Sequence, residues 1–409
     1  MAVTKTWQPT RLSTASWALY DLANTIFAFA VGSRYFAPWV VDVQDGRDGY
    51  VSIAAASAMV IVILTAPWLG ARSDHRGRRV PTLVAASLVT VAATALLATW
   101  GLVPSLILFA IATVAFHLGS VVYDAMLPDV STPQTRGRVS GLGVSIGYIG
   151  SFVGLGAGVL LLDRYGYAAV FRAVAVLFLL FALPSFLFIR ERPRPPTPGP
   201  PPRLVQAFTH LRDAWRRARA TPPVARFLVG RFLYTDAINT ILLFVAVFAT
   251  EEIGFSDSET DFLVLLAILG AMAGGVGAGR LVDMWGPRAV LNGVLYLWMV
   301  ALGFGALAAA AGWNQLGWLL GIIGGLALGG TWASDRAYMA RLSPPQYLGE
   351  FYGLYATAGR FATILGPLIW ALVVDVLGLG RVAAVGVLVL YLVAARVVLQ
   401  PVREPASVA

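Results

Sequence analysis

The chain of 409 residues contains no cysteine, one lysine and three histidines. Without cysteine, disulfides and thiolate metal sites are excluded. The single lysine, Lys5, stands outside any glycine-rich phosphate-binding loop, so ATP-driven chemistry is not expected. The histidines at positions 75, 117 and 210 are too far apart for a zinc motif. The sequence therefore predicts no metal site and no cofactor.

Charged residues are scarce as well, at 12% of the chain, whereas 58% of the residues are hydrophobic. A helix needs about 20 apolar residues to cross roughly 30 Å of hydrocarbon. Segments of this kind lie at 14–41, 51–70, 80–100, 104–127, 139–162, 168–189, 227–249, 261–281, 288–311, 316–340, 351–373 and 379–400. They predict an all-α integral membrane protein with twelve transmembrane helices. No soluble basic domain is left over, so the net charge of +9 does not predict nucleic-acid binding.

The basic residues predict how the chain is oriented, because cytoplasmic loops are enriched in lysine and arginine. With both termini in the cytoplasm, only Arg47, Arg164 and Arg381 fall in loops on the opposite side. The first segment is too long for the apolar core of a cleaved signal peptide, and Asp21 interrupts it. We therefore expect a multi-pass protein of the cytoplasmic (inner) membrane that keeps its first helix.

The sequence repeats itself once, with three motifs in the same order. The first motif, YDLANTIF at 20–27, returns as TDAINTIL at 235–242. The second, G-x-x-x-D-x-x-G-x-R, appears at 70–79 and again at 279–288, and the third pairs Pro133, Gln134, Gly137 and Gly141 with Pro345, Gln346, Gly349 and Gly353. These matches predict two parallel six-helix bundles, at 1–189 and 226–409, joined by a cytoplasmic linker at 190–225.

Two six-helix repeats in parallel orientation resemble the major facilitator superfamily of transporters. The second motif is similar to the cytoplasmic loop signature of that superfamily, whose aspartate and arginines hold the cytoplasmic side closed. The resemblance assigns to this gate Gly70, Asp74, Gly77, Arg78, Arg79, Asp283 and Arg288. Asp124, Asp335 and the adjacent Arg336 are added because they lie near the cytoplasmic ends of the fourth and tenth helices. We expect Asp74 to pair with Arg78 or Arg79, and Asp124 with nearby arginines.

Two stretches narrow the resemblance: WALYDLANTIFAF at 17–29 and YDAMLPDVSTPQTRGRVSGLGVSIGYIGS at 123–151. They resemble the fungal vacuolar effluxers linked to autophagy and their bacterial relatives. The resemblance implies a monomeric exporter of a small polar solute across the membrane, with amino acids as the substrate class of the fungal members. It implies no enzymatic activity.

Polar side chains form one layer close to the middle of the predicted membrane span. Asp21 and Asp236 each lie ten residues, or ~15 Å of helix, from an arginine at the cytoplasmic boundary. The full set proposed to bind substrate or proton is Asp21, Asn24, His117, Tyr148, Asp236, Asn239 and Arg360. Ionisable groups at this depth normally face a cavity or a partner, although polar residues also serve as structural contacts between helices.

We expect the two aspartates to have different roles. Arg360 is placed to pair with Asp236, whereas the residue that corresponds to Arg360 in the first half is the neutral Tyr148. Asp21 would then be the proton carrier, and His117 is a second candidate because imidazole changes charge near neutral pH. This predicts a proton-coupled secondary transporter that works by alternating access. The alternatives are an uncoupled uniporter and a transport-inactive sensor or scaffold.

The linker combines a proline-rich spacer at 190–203 with an amphipathic segment at 204–218. Its apolar residues recur every three or four positions, and most of its arginines fall between them. The pattern predicts a helix that lies against the anionic leaflet of the bilayer. The simpler interpretation is a tether between the bundles, which is common for linkers of this composition.

Overall fold

A computed structural model describes residues 7–193 and 202–402, and the regular structure in these ranges is helical. Ten helices among the described residues are long and apolar enough to cross a membrane. One of them, Arg136–Phe188, has 53 residues and covers two predicted segments, and the shorter apolar helix Val80–Ala95 accounts for another. The predicted twelve spans therefore each have a helical counterpart.

The first half begins with α1 (Arg11–Phe29), which continues through wider π-type turns as far as Val43. It is followed by α2 (Asp48–Arg76), α3 (Val80–Ala95) and α4 (Leu102–Ala125). The run Arg136–Phe188 contains α5 (136–165) and α6 (167–188), separated at Gly166, whose φ of 72° breaks the helix. The third segment ends five residues earlier than predicted, because the chain turns at Ala98 with a positive φ of 59°.

The linker contains one helix, α7 (Ala207–Arg219), as its periodicity predicts. Most of the proline-rich spacer, residues 194–201, lies outside the described residues. The second half consists of α8 (Pro222–Phe248), α9 (Asp257–Trp285), α10 (Pro287–Ala311), α11 (Gly317–Leu342), α12 (Leu348–Ala371) and α13 (Gly380–Leu399). Proline stands in the first turn of α3, α8 and α10, where the absence of its N–H costs no helical hydrogen bond.

The chain divides into two compact units that differ slightly from the two repeats. The first unit is Met1–Val139, Ile146–Arg212 and Pro345–Gly353, and the second is Ser140–Ser145, Asp213–Pro344 and Leu354–Ala409. Each unit thus includes a short segment of the opposite repeat. These two segments lie at and just after the third repeated motif.

Stacked aromatic rings form the centre of the first unit. The rings of Trp17 and Tyr123 stack with centroids 4.5 Å apart, and Tyr20 lies 5.1 Å from the same tyrosine. The Trp17 indole also donates to the Tyr123 carbonyl oxygen at 3.1 Å. This packing holds α1 against α4 and thereby fixes the face of α1 that carries Asp21.

Candidate functional site

Asp21 lies in the middle of α1, where it is half-buried beside a glycine of α5. A Cβ atom added to Gly147 would lie 3.4 Å from the Asp21 carboxyl carbon, so the α5 backbone passes close to this side chain. Thr25, one turn further along α1, donates its hydroxyl to the Asp21 carbonyl oxygen at 3.0 Å. Asn24 is buried. The D-x-x-N-T element of the first repeat therefore lies where α1 meets α5.

The second copy of this element is buried more deeply. Asp236 on α8 has 0% of its surface exposed, and its carboxylate Oδ1 accepts a hydrogen bond of 2.7 Å from the backbone N–H of Gly366 on α12. Thr240 donates its hydroxyl to the Asp236 carbonyl oxygen at 2.7 Å, as Thr25 does to that of Asp21. Asn239 is half-buried. Both copies thus place an aspartate against a glycine of the helix that begins within the third repeated motif.

The predicted ion pair between Asp236 and Arg360 is wrong. Gly366 supplies the only side-chain hydrogen bond of Asp236 among the described residues, and Asp236 Oδ2 has no hydrogen-bond partner there. Arg360 is half-buried on α12, six residues before Gly366. Six residues correspond to about 600° of rotation, so the two positions project from faces roughly 120° apart. Residue spacing had placed Arg360 level with Asp236, but the level of Asp236 on α12 is that of Gly366, about 9 Å of helix further along.

A different buried ion pair, between Arg231 and Asp335, joins α8 to α11 in the second unit. Tyr355 donates its hydroxyl to Asp335 Oδ1 at 3.0 Å, and Tyr234 donates to Oδ2 at 3.3 Å. The Arg231 guanidinium also lies 3.4 Å from the centroid of the Tyr355 ring, and its Nε donates to the Tyr355 carbonyl oxygen. Both charges are therefore desolvated but extensively hydrogen-bonded, which is what makes a buried pair tolerable.

Sequence reasoning missed Arg231 and assigned Asp335 to the gate instead. The available signal was an arginine well inside an apolar segment, which requires a partner at that depth. His117 and Tyr148 are half-buried on α4 and α5. Asp21, Asn24, His117 and Tyr148 belong to the first unit, whereas Asp236, Asn239 and Arg360 belong to the second.

The second repeated motif forms, in the first repeat, a charged cluster around Arg79, which is completely buried. Its guanidinium contacts Asp74 at 2.6 Å and Asp129 at 3.5 Å. The pairing of Asp74 with Arg79 agrees with the prediction, whereas Arg78 is exposed. The second carboxylate partner of Arg79 is Asp129 in the short helix Leu127–Val130, five residues beyond the predicted Asp124.

Asp74 also connects α2 to the first turn of α12. Its Oδ2 accepts a hydrogen bond of 3.1 Å from the backbone N–H of Glu350, so the carboxylate stands at the positive end of that helix. The two helices touch at glycines, since a Cβ atom on Gly70 would lie only 2.1 Å from the Gly349 carbonyl oxygen. Gly77 ends α2 with a φ of 65°, which few other residues adopt. Gly70 and Asp74 of the motif therefore both serve the contact between α2 and α12, and Gly77 ends α2 three residues later.

The beginning of the linker joins this cluster through Glu191. Its carboxylate accepts hydrogen bonds from the backbone N–H groups of Arg79 and Val80, the latter at 3.0 Å. These groups belong to the N-terminus of α3, where a carboxylate satisfies donors that the helix leaves free. The sequence analysis did not identify this role, because Glu191 stands among the prolines and arginines of the linker.

The second copy of the motif is built differently. Arg288 donates to the carbonyl oxygen of Gln400, just after α13, at 2.6 Å. Asp283 is half-buried near the end of α9, and Gly286 follows this helix with a φ of 83°. Arg336 is buried and donates through Nε to the Trp332 carbonyl oxygen at 3.2 Å. Arg288 therefore has a backbone carbonyl among its partners, whereas Arg79, its counterpart in the first repeat, contacts two carboxylates.

Comparison with known proteins agrees with this architecture. The family model described as "Vacuole effluxer Atg22 like" matches residues 46–404. The chain belongs to this family. It is 25% identical over 403 residues to the uncharacterised MFS-type transporter YxiO of Bacillus subtilis, and 92% of each chain is covered. Autophagy-related protein 22-2 of Aspergillus clavatus is 29% identical, but the match covers 62% of this chain and 46% of the fungal protein. This member of the family thus spans about half the length of its fungal relatives.

Solved structures of major facilitator transporters have the same fold. The human organic anion transporter MFSD10 superimposes with a TM-score of 0.74 at 17% identity, covering 95% of this chain and 98% of that one. The transporter FucP gives a TM-score of 0.74 at 13% identity, with 96% and 98% covered. The Atg22-like chain is therefore a multi-pass membrane transporter of the major facilitator fold, and its relatives are transporters rather than enzymes.

Proposed function

We propose that this Atg22-like protein exports a small polar solute, in first place an amino acid, across the cytoplasmic membrane as a monomer with cytoplasmic termini. Transport follows alternating access and is coupled to protons. The family description as an effluxer and the likeness to transporters of the major facilitator fold support the transport class. The loops opposite the termini contain only three arginines, Arg47, Arg164 and Arg381, and this scarcity supports cytoplasmic termini.

One observation carries the proton coupling: Asp236 is fully buried, and among the described residues its carboxylate has one hydrogen bond, from a backbone N–H, and no ion pair. An ionised carboxylate in such a place is costly, because its charge is removed from solvent and no opposite charge pairs with it among the described residues. A proton on Oδ2, the oxygen without a hydrogen-bond partner, removes that cost. Hydration of the same site in another conformation favours release of the proton, so protonation becomes linked to the transport cycle.

The leading proton carrier is thus Asp236 rather than Asp21. Asp21 is half-buried and so closer to water, while Asp236 lacks the arginine that was expected to neutralise it. Asp21 and His117 become the second and third candidates. The duplicated D-x-x-N-T element thus keeps its polar character in both halves, with the more buried copy assigned to the proton.

Arg360 is proposed to receive the carboxylate of the solute. It is half-buried on α12, one and a half turns before Gly366, and a guanidinium binds a carboxylate through two parallel hydrogen bonds. A buried aspartate for the proton and an arginine for the substrate anion then lie on the same helix pair, α8 and α12. Binding of the solute and binding of the proton can influence each other through this pair.

The test compares two isosteric variants, Asp236→Asn and Asp21→Asn, in proteoliposomes with radiolabelled amino acids. Asp236→Asn should abolish accumulation driven by a pH gradient and leave solute exchange at equal pH largely intact. Asp21→Asn should still accumulate solute. The opposite result would return the coupling role to Asp21, and accumulation by both variants would favour the uncoupled uniporter. A wild-type protein that moves no solute across a broad panel would favour the sensor or scaffold.

A further inference from the structure

The linker helix α7 and the turn before it carry a strong positive charge. Between residues 203 and 219 there is a single acidic residue, Asp213, and five arginines at positions 203, 212, 216, 217 and 219. Transport needs no such charge, because the segment lies outside both bundles of the transporter. Its role is therefore a separate question from that of the polar clusters in the bundles.

The helix has two distinct faces. Ala214 and Ala218 have 0% of their surface exposed, so the face with the smallest side chains packs against the protein. Phe208, with 71% exposed, occupies another face together with the exposed arginines 212, 216 and 219. At 100° per residue these four positions fall within about 80° of one another. The outward face thus combines one large aromatic ring with three positive charges.

The turn that precedes α7 adds two exposed apolar side chains, and hydrogen bonds to α2 fix the position of this turn relative to the end of that helix. Leu204 and Val205 are 54% and 92% exposed. The carbonyl oxygen of Pro202 accepts hydrogen bonds from the Trp68 indole at 3.1 Å and from Arg72 at 3.4 Å, near the end of α2. Tryptophan and arginine at the end of a membrane-spanning helix mark the boundary between lipid and water. The exposed apolar residues are therefore anchored close to that boundary.

We infer that this surface, formed by Leu204, Val205, Phe208, Arg212, Arg216 and Arg219, binds the anionic phospholipids of the adjacent leaflet. The three apolar side chains enter the region between headgroups and acyl chains, and the arginines bind the lipid phosphates. The exposed apolar side chains and the arginines on the same face argue together for lipid. A simple tether requires neither of them, and a face exposed only to water would not place Phe208 among its arginines. The charge complements an anionic leaflet and no feature of the surface requires another protein.

The absence of cysteine from the chain allows a direct test with the intact protein. A single cysteine in place of Val205 is labelled with an environment-sensitive fluorophore, and the protein is placed in nanodiscs of phosphatidylcholine with increasing phosphatidylglycerol. The emission should move to shorter wavelength as phosphatidylglycerol increases, because the label enters the apolar part of the leaflet. In Arg212→Gln/Arg219→Gln the ratio of inserted to free label should fall about 25-fold, since each arginine near an anionic surface contributes about fivefold.

A matched control removes the same charge elsewhere, by Arg47→Gln/Arg164→Gln at two exposed arginines of other loops, and should leave the emission as in the parent. The inference is overturned if the label stays in water at every lipid composition, or if it is equally inserted with and without phosphatidylglycerol. It is also overturned if the control variant loses the response to the same extent, because the effect would then come from net charge. None of these outcomes depends on solute transport, so they are independent of the proposed export.

Discussion

Removing the Asp74 carboxylate should loosen the contact between α2 and the beginning of α12. This side chain makes two hydrogen bonds that involve a charged group, to Arg79 at 2.6 Å and to the Glu350 N–H at 3.1 Å. The second one joins the two helices. Hydrogen bonds to charged groups contribute about 1.5–3 kcal/mol each, so Asp74→Ala should shift the balance between closed and open arrangements of this contact by about 10- to 100-fold.

The assay uses the cysteine-free chain with Ala66→Cys, because Ala66 on α2 is 0% exposed and a Cβ atom on Gly353 of α12 would lie 2.7 Å from its carbonyl oxygen. The rate at which a water-soluble thiol reagent modifies this cysteine reports how often the contact opens. Asp74→Ala should raise that rate by an order of magnitude or more, and Asp74→Asn should raise it less, since an amide oxygen can still accept from Glu350.

Arg78→Ala is the control for this experiment, because Arg78 adjoins the buried Arg79 in sequence but is exposed. It should leave the modification rate of Ala66→Cys unchanged. Equal rates in Asp74→Ala and the parent would show that the hydrogen bond to Glu350 does not hold the contact closed. The reasoning would then fail even if Asp74→Ala changed transport.

Three further variants test the second unit. Arg360→Lys should weaken binding of an identified carboxylate substrate at least tenfold despite the retained charge, because lysine cannot make two parallel hydrogen bonds; equal affinity by titration calorimetry would exclude direct recognition. Arg231→Met should lower the free energy of unfolding by about 3–5 kcal/mol, since it leaves Asp335 buried without its cation, and Arg231→Met/Asp335→Asn should recover part of the loss in thermal denaturation in detergent. Gly366→Ala should destabilise the protein by about 1–3 kcal/mol, because the added Cβ would overlap Thr240 Oγ1 and lie 2.9 Å from Asp236 Oδ2; Gly366→Ala/Thr240→Ala should recover part of the loss in the same assay, and no recovery would show that the Thr240 hydroxyl is not the obstacle.

The membrane fold could be predicted from the sequence because its determinants are local. Hydrocarbon thickness requires runs of about 20 apolar residues whatever the neighbours, so the twelve segments could be counted before any contact was known. Repeated motifs likewise indicated two related halves, since they are compared along the chain alone. The pairing of Asp74 with Arg79 was predictable for a similar reason: the two residues are five positions apart at one helix end.

Partners that are distant in sequence were decided only by the tertiary structure. Residue spacing placed Asp236 and Arg360 at the same depth, but α12 presents Gly366 to the aspartate, about 9 Å of helix beyond Arg360 and on another face. The same limitation hid the pair of Arg231 with Asp335 and the role of Asp129 as a partner of Arg79. Depth follows from helical rise, which every residue shares, whereas direction depends on how each helix is rotated against its neighbours. That rotation is set by packing between residues more than a hundred positions apart, such as Asp236 and Gly366, and no local pattern records it.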